Sequence, residues 1–178
     1  MTTPQKVVFL DRDGTLTRSL MRDGTPVPPE SLADFELFPD AFDSLHHLRN
    51  KGFKLIVVTN QPDVSRGTAD KSTIEAMNHQ LMQWLPLDAI HVCYHDDKDA
   101  CKCRKPLPGL LLQTTSLFPV DFTHSWMVGD RWRDISAGKA AGCRTVFIDW
   151  NYSEKLRDQP DFTVASLKEA VEIILQNP

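Results

Sequence analysis

The sequence predicts an α/β fold built on a mostly parallel sheet. Apolar runs of strand length recur along the chain, at 6–10, 53–58, 89–93, 125–128 and 144–148. Helical patterns separate most of these runs, and strands that alternate with helices are typical of a parallel sheet covered by helices. The 178 residues fit one domain, 1–178, which can bury roughly 70% of its unfolded surface.

Boundary signals define three of the helices. The first is predicted over 39–52, from a proline, which favours the first turn, to a glycine, which ends helices. Ser72 with Glu75, and later Ser166 with Glu169, have the spacing of a capping box, which predicts that a helix begins at each serine. Apolar residues follow both signals at helical spacing, so we expect these helices to pack on the sheet.

The segment 17–34 has neither a helical nor a strand period and contains Pro26, Pro28 and Pro29. Such a pattern predicts an irregular loop, which would leave the carboxyl end of the first strand. Ligands bind at the carboxyl ends of strands in open parallel sheets, so this loop is a candidate specificity loop. A solvated connector without a role in binding is the alternative interpretation.

Composition argues against several classes of function. With 41% hydrophobic and 25% charged residues, the chain is typical of globular proteins. A net charge of −4 without a basic stripe argues against a nucleic-acid partner. No apolar run approaches the roughly 18 residues of a membrane span, and residues 1–5 contain no apolar export signal. We therefore expect a cytoplasmic protein without a membrane partner, and a monomer as its simplest state.

Two carboxylates follow the first predicted strand, where Asp11 and Asp13 precede Gly14. Residues two apart on a strand point the same way, and the glycine lets the chain turn sharply. A carboxylate pair with a hard cation suits phosphoryl transfer, because one carboxylate can attack phosphorus while the other handles the proton of the leaving group. A surface turn is the alternative interpretation of this short motif.

Polar groups follow three more predicted strands: Thr59, Asn60 and Gln61 after the second, Arg104 and Lys105 after the third, and Asp130, Arg131 and Asp134 after the fourth. Hydroxyl, amide and cationic groups bind phosphate oxygens, although each alone is also ordinary turn or surface chemistry. Asp134 is expected to cap or support the helix that follows it. Acid pair, hydroxyl, cation and acid thus end four strands, as a Mg²⁺-dependent aspartyl-phosphate mechanism requires.

Cys93, His95, Cys101 and Cys103 lie within eleven positions and offer three thiolates and one imidazole. This set suits tetrahedral Zn²⁺, and four protein ligands leave no open position for water, which indicates a structural site. Cys103 is two residues from Lys105, so a metal here would also fix the cationic pair. A coincidental group of cysteines is the alternative.

The order of these motifs resembles the haloacid dehalogenase superfamily of phosphohydrolases, whose four motifs match 11–15, 59, 105 and 129–130. The resemblance implies a Rossmann-like three-layer sandwich without a large cap domain. It also implies roles: Asp11 as nucleophile, Asp13 as general acid and base, and Thr59 and Lys105 as phosphoryl stabilisers. Magnesium would be bound by Asp11 and Asp13 together with Asp130.

The zinc loop narrows the resemblance to a branch that contains heptose 1,7-bisphosphate 7-phosphatases and histidinol-phosphate phosphatases. Residues 61–67 and 105–110 look closer to the heptose enzymes, whereas the long segment 17–34 departs from them. The resemblance implies substrate contacts at Asn60, Gln61, Arg104 and Arg131.

The resulting hypothesis is a Mg²⁺-dependent phosphatase that acts on a small phosphorylated sugar, with D-glycero-D-manno-heptose 1,7-bisphosphate as the leading substrate. Histidinol phosphate is the alternative substrate. A nucleic-acid 3′-phosphatase is disfavoured by the acidic charge. A zinc-stabilised module that binds a phosphorylated ligand without turnover is the alternative outside enzymes, although two adjacent carboxylates would repel such a ligand unless a metal covered them.

Overall fold

The computed structural model describes residues 3–178 and contains a six-stranded sheet in the order β5-β4-β1-β6-β7-β8. Every neighbouring pair in this sheet is parallel. Its strands are β1 (Val7–Leu10), β4 (Lys54–Asn60), β5 (Ala89–Cys93), β6 (Trp126–Gly129), β7 (Arg144–Ile148) and β8 (Phe162–Val164). The predicted α/β class is confirmed, and all five predicted strands are present.

Strand β1 lies inside the sheet, between β4 and β6, and helices bury both of its faces. Val8 and Leu10 pack in a core with residues of α1 (Ala41–Asn50), α3 (Lys71–Trp84) and α6 (Leu167–Gln176). Val7 and Phe9 point to the other face, toward α4 (Gly109–Gln113) and α5 (Trp132–Ala141). A strand covered on both sides must be apolar throughout, which explains the continuous run in the sequence.

The two capping boxes predicted from the sequence have different outcomes in the structure. Ser166 precedes α6, and its hydroxyl accepts a hydrogen bond from the backbone N–H of Glu169 at 3.2 Å, so this prediction is confirmed. The helix predicted from Ser72 and Glu75 is present as α3, but the capping role of Ser72 was wrong, because α3 begins at Lys71 and Ser72 lies inside its first turn. Asp70 precedes that helix but makes no side-chain capping bond.

The segment 17–34 is not wholly irregular, so that prediction needs correction. It contains an antiparallel hairpin of β2 (Leu20–Arg22) and β3 (Thr25–Val27), followed by a short 3-10 turn at Leu32–Asp34. Asp23 and Gly24 make the turn, with φ of 49° and 74°, as tight two-residue hairpins require. Three-residue strands are too short to show a period, which is why the sequence pattern missed them and β8.

All six strands of the sheet point the same way, so their carboxyl ends form one edge. Asp11 leaves β1 at this edge, Asn60 ends β4 and Asp130 follows β6. The hairpin, the short helix α2 (Asp63–Arg66) and the loop after β5 also leave from it. Within residues 3–178, none of the helices combines the length and the hydropathy needed to cross a bilayer.

Candidate active site

A cleft of about 880 Å³ opens above the carboxyl edge of the sheet. Residues from three strand ends and from the loop after β5 line it, among them Asp11, Thr59, Lys105 and Asp130. The hairpin forms one wall, with Arg22 and residues 25–30, and the start of α5 contributes to another. The structure therefore brings the residues of all four sequence motifs into one cavity.

Lys105 lies at the base of this cleft with 2% of its surface exposed. Its Nζ donates hydrogen bonds to Asp11 Oδ1 at 2.8 Å, Asp134 Oδ1 at 2.5 Å and the carbonyl of Val58 at 2.7 Å. Burial alone would lower the pKa of this ammonium group, but the charges of Asp11 and Asp134 outweigh burial and raise the pKa. The lysine is therefore a fixed cation with all three of its donors used.

Three buried carboxylates, Asp11, Asp130 and Asp134, form what we call the acidic cluster. Each offers one oxygen, and the three oxygens lie within 4.8 Å of one another. Burial, and then the charge of Asp134, raise the pKa of Asp11 to about 7. Burial, and then the charges of Asp11 and Asp134, raise the pKa of Asp130 well above its usual value. When all three carboxylates are ionised, their charge exceeds the single positive charge of Lys105, and this repulsion together with burial favours the protonated forms unless a cation binds.

Asp130 provides the clearest sign that a cation fits here. Its Oδ1 atom is buried and has no hydrogen-bond partner among the described residues, although the side chain is only 1% exposed. An unpaired buried carboxylate oxygen is costly unless a cation binds it. Oxygen ligands of this kind suit Mg²⁺, which binds through one or two carboxylates and keeps several waters.

Two glycines allow the acidic cluster to form. Gly14 has φ of 86°, and a Cβ atom there would lie 2.1 Å from Asp130 Oδ2. A Cβ atom at Gly129 would lie 2.3 Å from the carboxyl group of Asp134. The sequence indicated Gly14 for its turn; the structure adds the close approach of a buried acid.

The side chain of Asp13 lies outside the acidic cluster. Its two carboxylate oxygens accept hydrogen bonds from Arg12 Nε at 3.0 Å and Arg12 Nη2 at 2.9 Å. Gln61 Nε2 donates to it at 2.8 Å, and Thr17 Oγ1 at 3.1 Å. Arg12 is completely buried and also donates to Asn78 at 2.9 Å. The sequence did not indicate Arg12, because nothing in the motif shows that an arginine between two acids points into the core.

The amide side chains of Asn60 and Gln61 are used within the protein. Asn60 pairs with the backbone of Lys105, donating to its carbonyl at 3.0 Å and accepting from its N–H at 3.1 Å. Gln61 Nε2 donates to Asp13 and, at 2.9 Å, to the Thr59 hydroxyl. Both residues line the cleft, yet these bonds make them supports of Lys105, Asp13 and Thr59.

Arginines line the rim of the cleft, each with an acidic partner. Arg131, expected from the sequence, forms a two-point ion pair with Glu154 at 2.8 and 3.0 Å. Arg104 donates to Asp97 at 2.8 Å, and Arg133 donates to the same carboxylate at 3.0 Å. The sequence did not indicate Arg133, Asp97 or Glu154, because ion pairs formed across loops leave no pattern in the chain.

The four predicted zinc ligands converge in what we call the cysteine–histidine cluster. The Sγ of Cys103 lies 3.2 Å from that of Cys93, 3.5 Å from that of Cys101 and 3.3 Å from His95 Nδ1. All four donor atoms lie within 4.8 Å of one another. Tetrahedral zinc with Zn–S bonds of about 2.3 Å needs sulfur atoms roughly 3.8 Å apart, so the arrangement fits this ion.

The three thiols of the cluster differ in pKa: burial raises the pKa of Cys93 and of Cys103, whereas that of Cys101 is lowered. Burial raises the pKa of the Cys101 thiol, but hydrogen bonds from the Arg104 N–H and the neighbouring thiol outweigh burial and lower the pKa to about 7. The thiolate is the form that binds metals.

Comparison with known proteins gives consistent matches. Residues 102–170 match the HAD-hydrolase-like family. The probable D-glycero-D-manno-heptose-1,7-bisphosphate 7-phosphatase of Thermoplasma volcanium is 35% identical over 131 residues, which cover 71% of this chain and 86% of the relative. The D-glycero-beta-D-manno-heptose-1,7-bisphosphate 7-phosphatase of Escherichia coli K12 is 34% identical over 154 residues, or 79% of this chain and 77% of the relative.

Solved structures agree with this result. The D,D-heptose 1,7-bisphosphate phosphatase of B. bronchiseptica, crystallised with magnesium and phosphate, superposes with a TM-score of 0.81 at 28% identity. The alignment covers 98% of this chain and 100% of that one. A HAD-like phosphatase of Mesorhizobium loti aligns with a TM-score of 0.73 at 25% identity, over 97% of this chain and 88% of that chain.

Proposed function

We propose that this chain, which belongs to the haloacid dehalogenase-like family of D-glycero-D-manno-heptose-1,7-bisphosphate 7-phosphatases, removes the 7-phosphate from that sugar bisphosphate with the help of Mg²⁺. The observation that carries the proposal is the buried acidic cluster around Lys105 at the base of an open cleft. A small phosphorylated sugar fits a cleft of about 880 Å³ whose rim carries arginines.

Asp11 is the proposed nucleophile. One of its carboxylate oxygens attacks phosphorus, a bond forms between that oxygen and phosphorus, and the bond from phosphorus to the sugar oxygen breaks. Lys105 donates a hydrogen bond to Asp11 Oδ1, so it fixes the orientation of the carboxylate and places a positive charge beside the incoming phosphoryl group. The hydroxyl of Thr59, which lines the same cleft, is the proposed donor to a phosphoryl oxygen.

Asp13 is the proposed general acid and base. It gives a proton to the departing sugar oxygen, and it later takes a proton from the water that attacks the aspartyl-phosphate. That attack breaks the bond between Asp11 and phosphorus and releases inorganic phosphate. Arg12 and Gln61 hold the Asp13 carboxylate in a fixed position, which makes proton transfer at one place in the cleft possible.

Asp11 and Asp130, with the backbone carbonyl of Asp13, are the proposed Mg²⁺ ligands. The ion supplies positive charge that stabilises the negative charge of the transferring phosphoryl group. Asp134 bonds to Lys105 and to the N–H of Arg131 at 3.0 Å, so it supports the site and caps α5. Arg104 and Arg131 remain the proposed substrate contacts, whereas the bonds of Asn60 and Gln61 support positioning roles for these two residues.

The cysteine–histidine cluster is the proposed site of a structural Zn²⁺. Four protein ligands leave no position for water, so such an ion would stabilise the loop rather than take part in hydrolysis. Cys103 is two residues from Lys105, and Arg104 donates from Nη1 to the carbonyl of His95 at 3.2 Å. The ion would therefore hold both cationic residues in place.

Phosphate release from heptose 1,7-bisphosphate and from histidinol phosphate tests the proposal, with Mg²⁺ present and Asp11→Asn as the control. We expect kcat/KM for the heptose compound to be at least about tenfold higher, or ~1.4 kcal/mol of transition-state energy. Asp11→Asn should lose at least ~10³-fold in kcat. A tenfold preference for histidinol phosphate would overturn the substrate, and full activity of Asp11→Asn would overturn the mechanism.

A further inference from the structure

Two arginines at the rim of the cleft share a single carboxylate. Asp97 accepts a hydrogen bond from Arg104 Nε at 2.8 Å and from Arg133 Nη2 at 3.0 Å. Arg104 follows the cysteine–histidine cluster, Arg133 belongs to α5, and Asp97 lies in the turn between β5 and Arg104. All three line the cleft. One negative charge therefore lies between two positive charges inside the cavity where a substrate would bind.

Both arginines have a second partner that does not depend on Asp97. Arg104 Nη1 donates to the carbonyl of His95 at 3.2 Å, its Nη2 lies 4.0 Å from an oxygen of Asp96, and its side chain is only 10% exposed. Arg133 Nη1 donates to the carbonyl of Lys105 at 3.3 Å. These backbone contacts would keep the guanidinium groups in place without the carboxylate, so Asp97 is the exchangeable partner of the pair.

The carboxylate itself is accessible. Its side chain is 59% exposed, and ion pairs exposed to this degree contribute little to stability. Asp97 accepts hydrogen bonds from two guanidinium groups, a setting that favours the ionised carboxylate. Asp97 thus offers the arginines a weakly held negative charge.

The geometry points to Asp97 as a specificity-determining residue. In the free protein its carboxylate occupies the position that a second anionic group of the substrate would take, and it competes with that group for Arg104 and Arg133. This inference rests on the proposed function, because it requires a substrate with two phosphate groups. A phosphate monoester carries up to two negative charges and three acceptor oxygens, and it binds arginine through two points at once. It can therefore displace one carboxylate, at the cost of breaking the two bonds to Asp97.

Equilibrium binding tests this inference separately from turnover. Calorimetric titration with Mg²⁺ would compare heptose 1,7-bisphosphate with heptose 7-phosphate, each added to Asp11→Asn protein with and without Asp97→Asn. We expect Asp97→Asn to tighten binding of the bisphosphate about fivefold. Binding of the 7-phosphate should change less than about twofold, because it lacks the second phosphate.

Two variants control for charge. Asp97→Glu keeps the negative charge, so the ratio of the two affinities should stay close to that of the parent protein. Asp121→Asn removes one charge at the amino end of β6, away from the residues that line the cleft, and should leave the ratio unchanged. A similar gain in Asp121→Asn would mean that net charge alone is responsible, and this would overturn the role of Asp97.

Unchanged or weaker binding of the bisphosphate to Asp97→Asn would also overturn the inference, since Asp97 would then serve only to hold the arginines. Lack of detectable binding of the bisphosphate to both proteins, with Asp97 or with Asn at position 97, would overturn the inference as well. The arginine pair would then not recognise a second phosphate. Failure of the proposed function would be recognised by a different result. Protein with Asp11 intact would then release no phosphate from either sugar, whatever the effect of Asp97 on binding.

Discussion

The two clusters of potential metal ligands differ in how the charge of their own side chains is balanced. The acidic cluster is buried around an internal cation, the Nζ of Lys105, which bonds to Asp11 and Asp134. The cysteine–histidine cluster has no such cation among its hydrogen-bond partners in residues 3–178, only the backbone N–H of Arg104 at 3.4 Å from Cys101 Sγ. Its thiols offer one another only weak hydrogen bonds.

This difference indicates different uses of metal. The acidic cluster can assemble around its lysine and still bind an exchangeable ion through the unpaired oxygen of Asp130. If the three cysteines bind the proposed Zn²⁺ as thiolates, their charges repel within 4.8 Å, so the cysteine–histidine cluster would need that ion to hold its loop. An exchangeable ion suits catalysis, and a resident ion suits structure.

Replacing the internal cation should have the largest effect. Lys105→Met leaves three buried carboxylates without their counterion, so we expect a loss of about 3–5 kcal/mol in the free energy of unfolding. Phosphate release should fall at least ~10²-fold, because the charge beside Asp11 is lost. Urea unfolding with and without Mg²⁺ measures the first effect, and the loss should be smaller with Mg²⁺, which replaces part of the missing charge.

Lys102→Met is the matched control, because Lys102 is an exposed residue of the same loop. It should change the free energy of unfolding by less than about 0.5 kcal/mol. If Lys105→Met were as stable as Lys102→Met, the acidic cluster would not depend on an internal cation, and the contrast between the two clusters would be lost.

Removing the proposed zinc ion should have the second largest effect. Cys103→Ser deletes one of four ligands, and we expect a loss of about 3 kcal/mol, or roughly 10 °C in Tm for a domain of this size. Phosphate release should fall as well, since Lys105 is two residues away. Zinc content by atomic emission should drop from one ion per chain to near zero. Cys143→Ser, outside the cluster, should keep the full zinc content.

The fold could be predicted from the sequence where burial leaves a strong pattern. The central strands β1 and β4 are buried on both faces and so appear as continuous apolar runs. The hairpin of β2 and β3 could not, because its strands have three residues each and its side chains are partly exposed. Short strands leave too few positions for a period, and their pairing depends on a turn.

The candidate site was predictable to the level of which residues meet. Strand ends in a parallel sheet share one edge, so Asp11, Lys105 and Asp130 could be expected in one cavity. The direction of each side chain could not be predicted. Asn60 finds its partner 45 residues away in the backbone of Lys105, and Arg131 finds Glu154 23 residues away.

Asn60 allows a finer test of how Lys105 is held. Asn60→Ala removes both bonds to the Lys105 backbone, so we expect a loss of about 1–2 kcal/mol in stability. We also expect kcat to fall roughly tenfold with KM unchanged, because the ammonium group loses its exact position but the substrate loses no contact. Steady-state kinetics with heptose 1,7-bisphosphate measures the two constants. An increase in KM at unchanged kcat would instead support the substrate contact predicted from the sequence.

Asp88, at the opposite end of the sheet, should give the smallest effect, because its donors balance its charge without a metal. Arg49 donates to its carboxylate, as do Lys54 Nζ at 3.2 Å and the Leu55 N–H at 2.9 Å. Burial raises the pKa of Asp88, but the bonds from Leu55 and Arg49 outweigh burial and lower the pKa below 3.8. We expect Asp88→Asn to cost about 1 kcal/mol at pH 7.

The pH dependence checks this explanation. Because the folded pKa is lower than that of the unfolded chain, the contribution of Asp88 is present above pH 3.8 and is lost as the pH falls through the folded pKa. Urea unfolding of the parent protein and of Asp88→Asn should therefore show a difference that is constant near neutral pH and narrows below pH 3.8. Glu36→Gln, whose side chain is 72% exposed, should show almost no difference at any pH. If the stability difference between the parent protein and Asp88→Asn stayed constant down to low pH, the substitution would have removed packing rather than charge. Hydrogen-bond donors alone would then not explain why this carboxylate needs no metal.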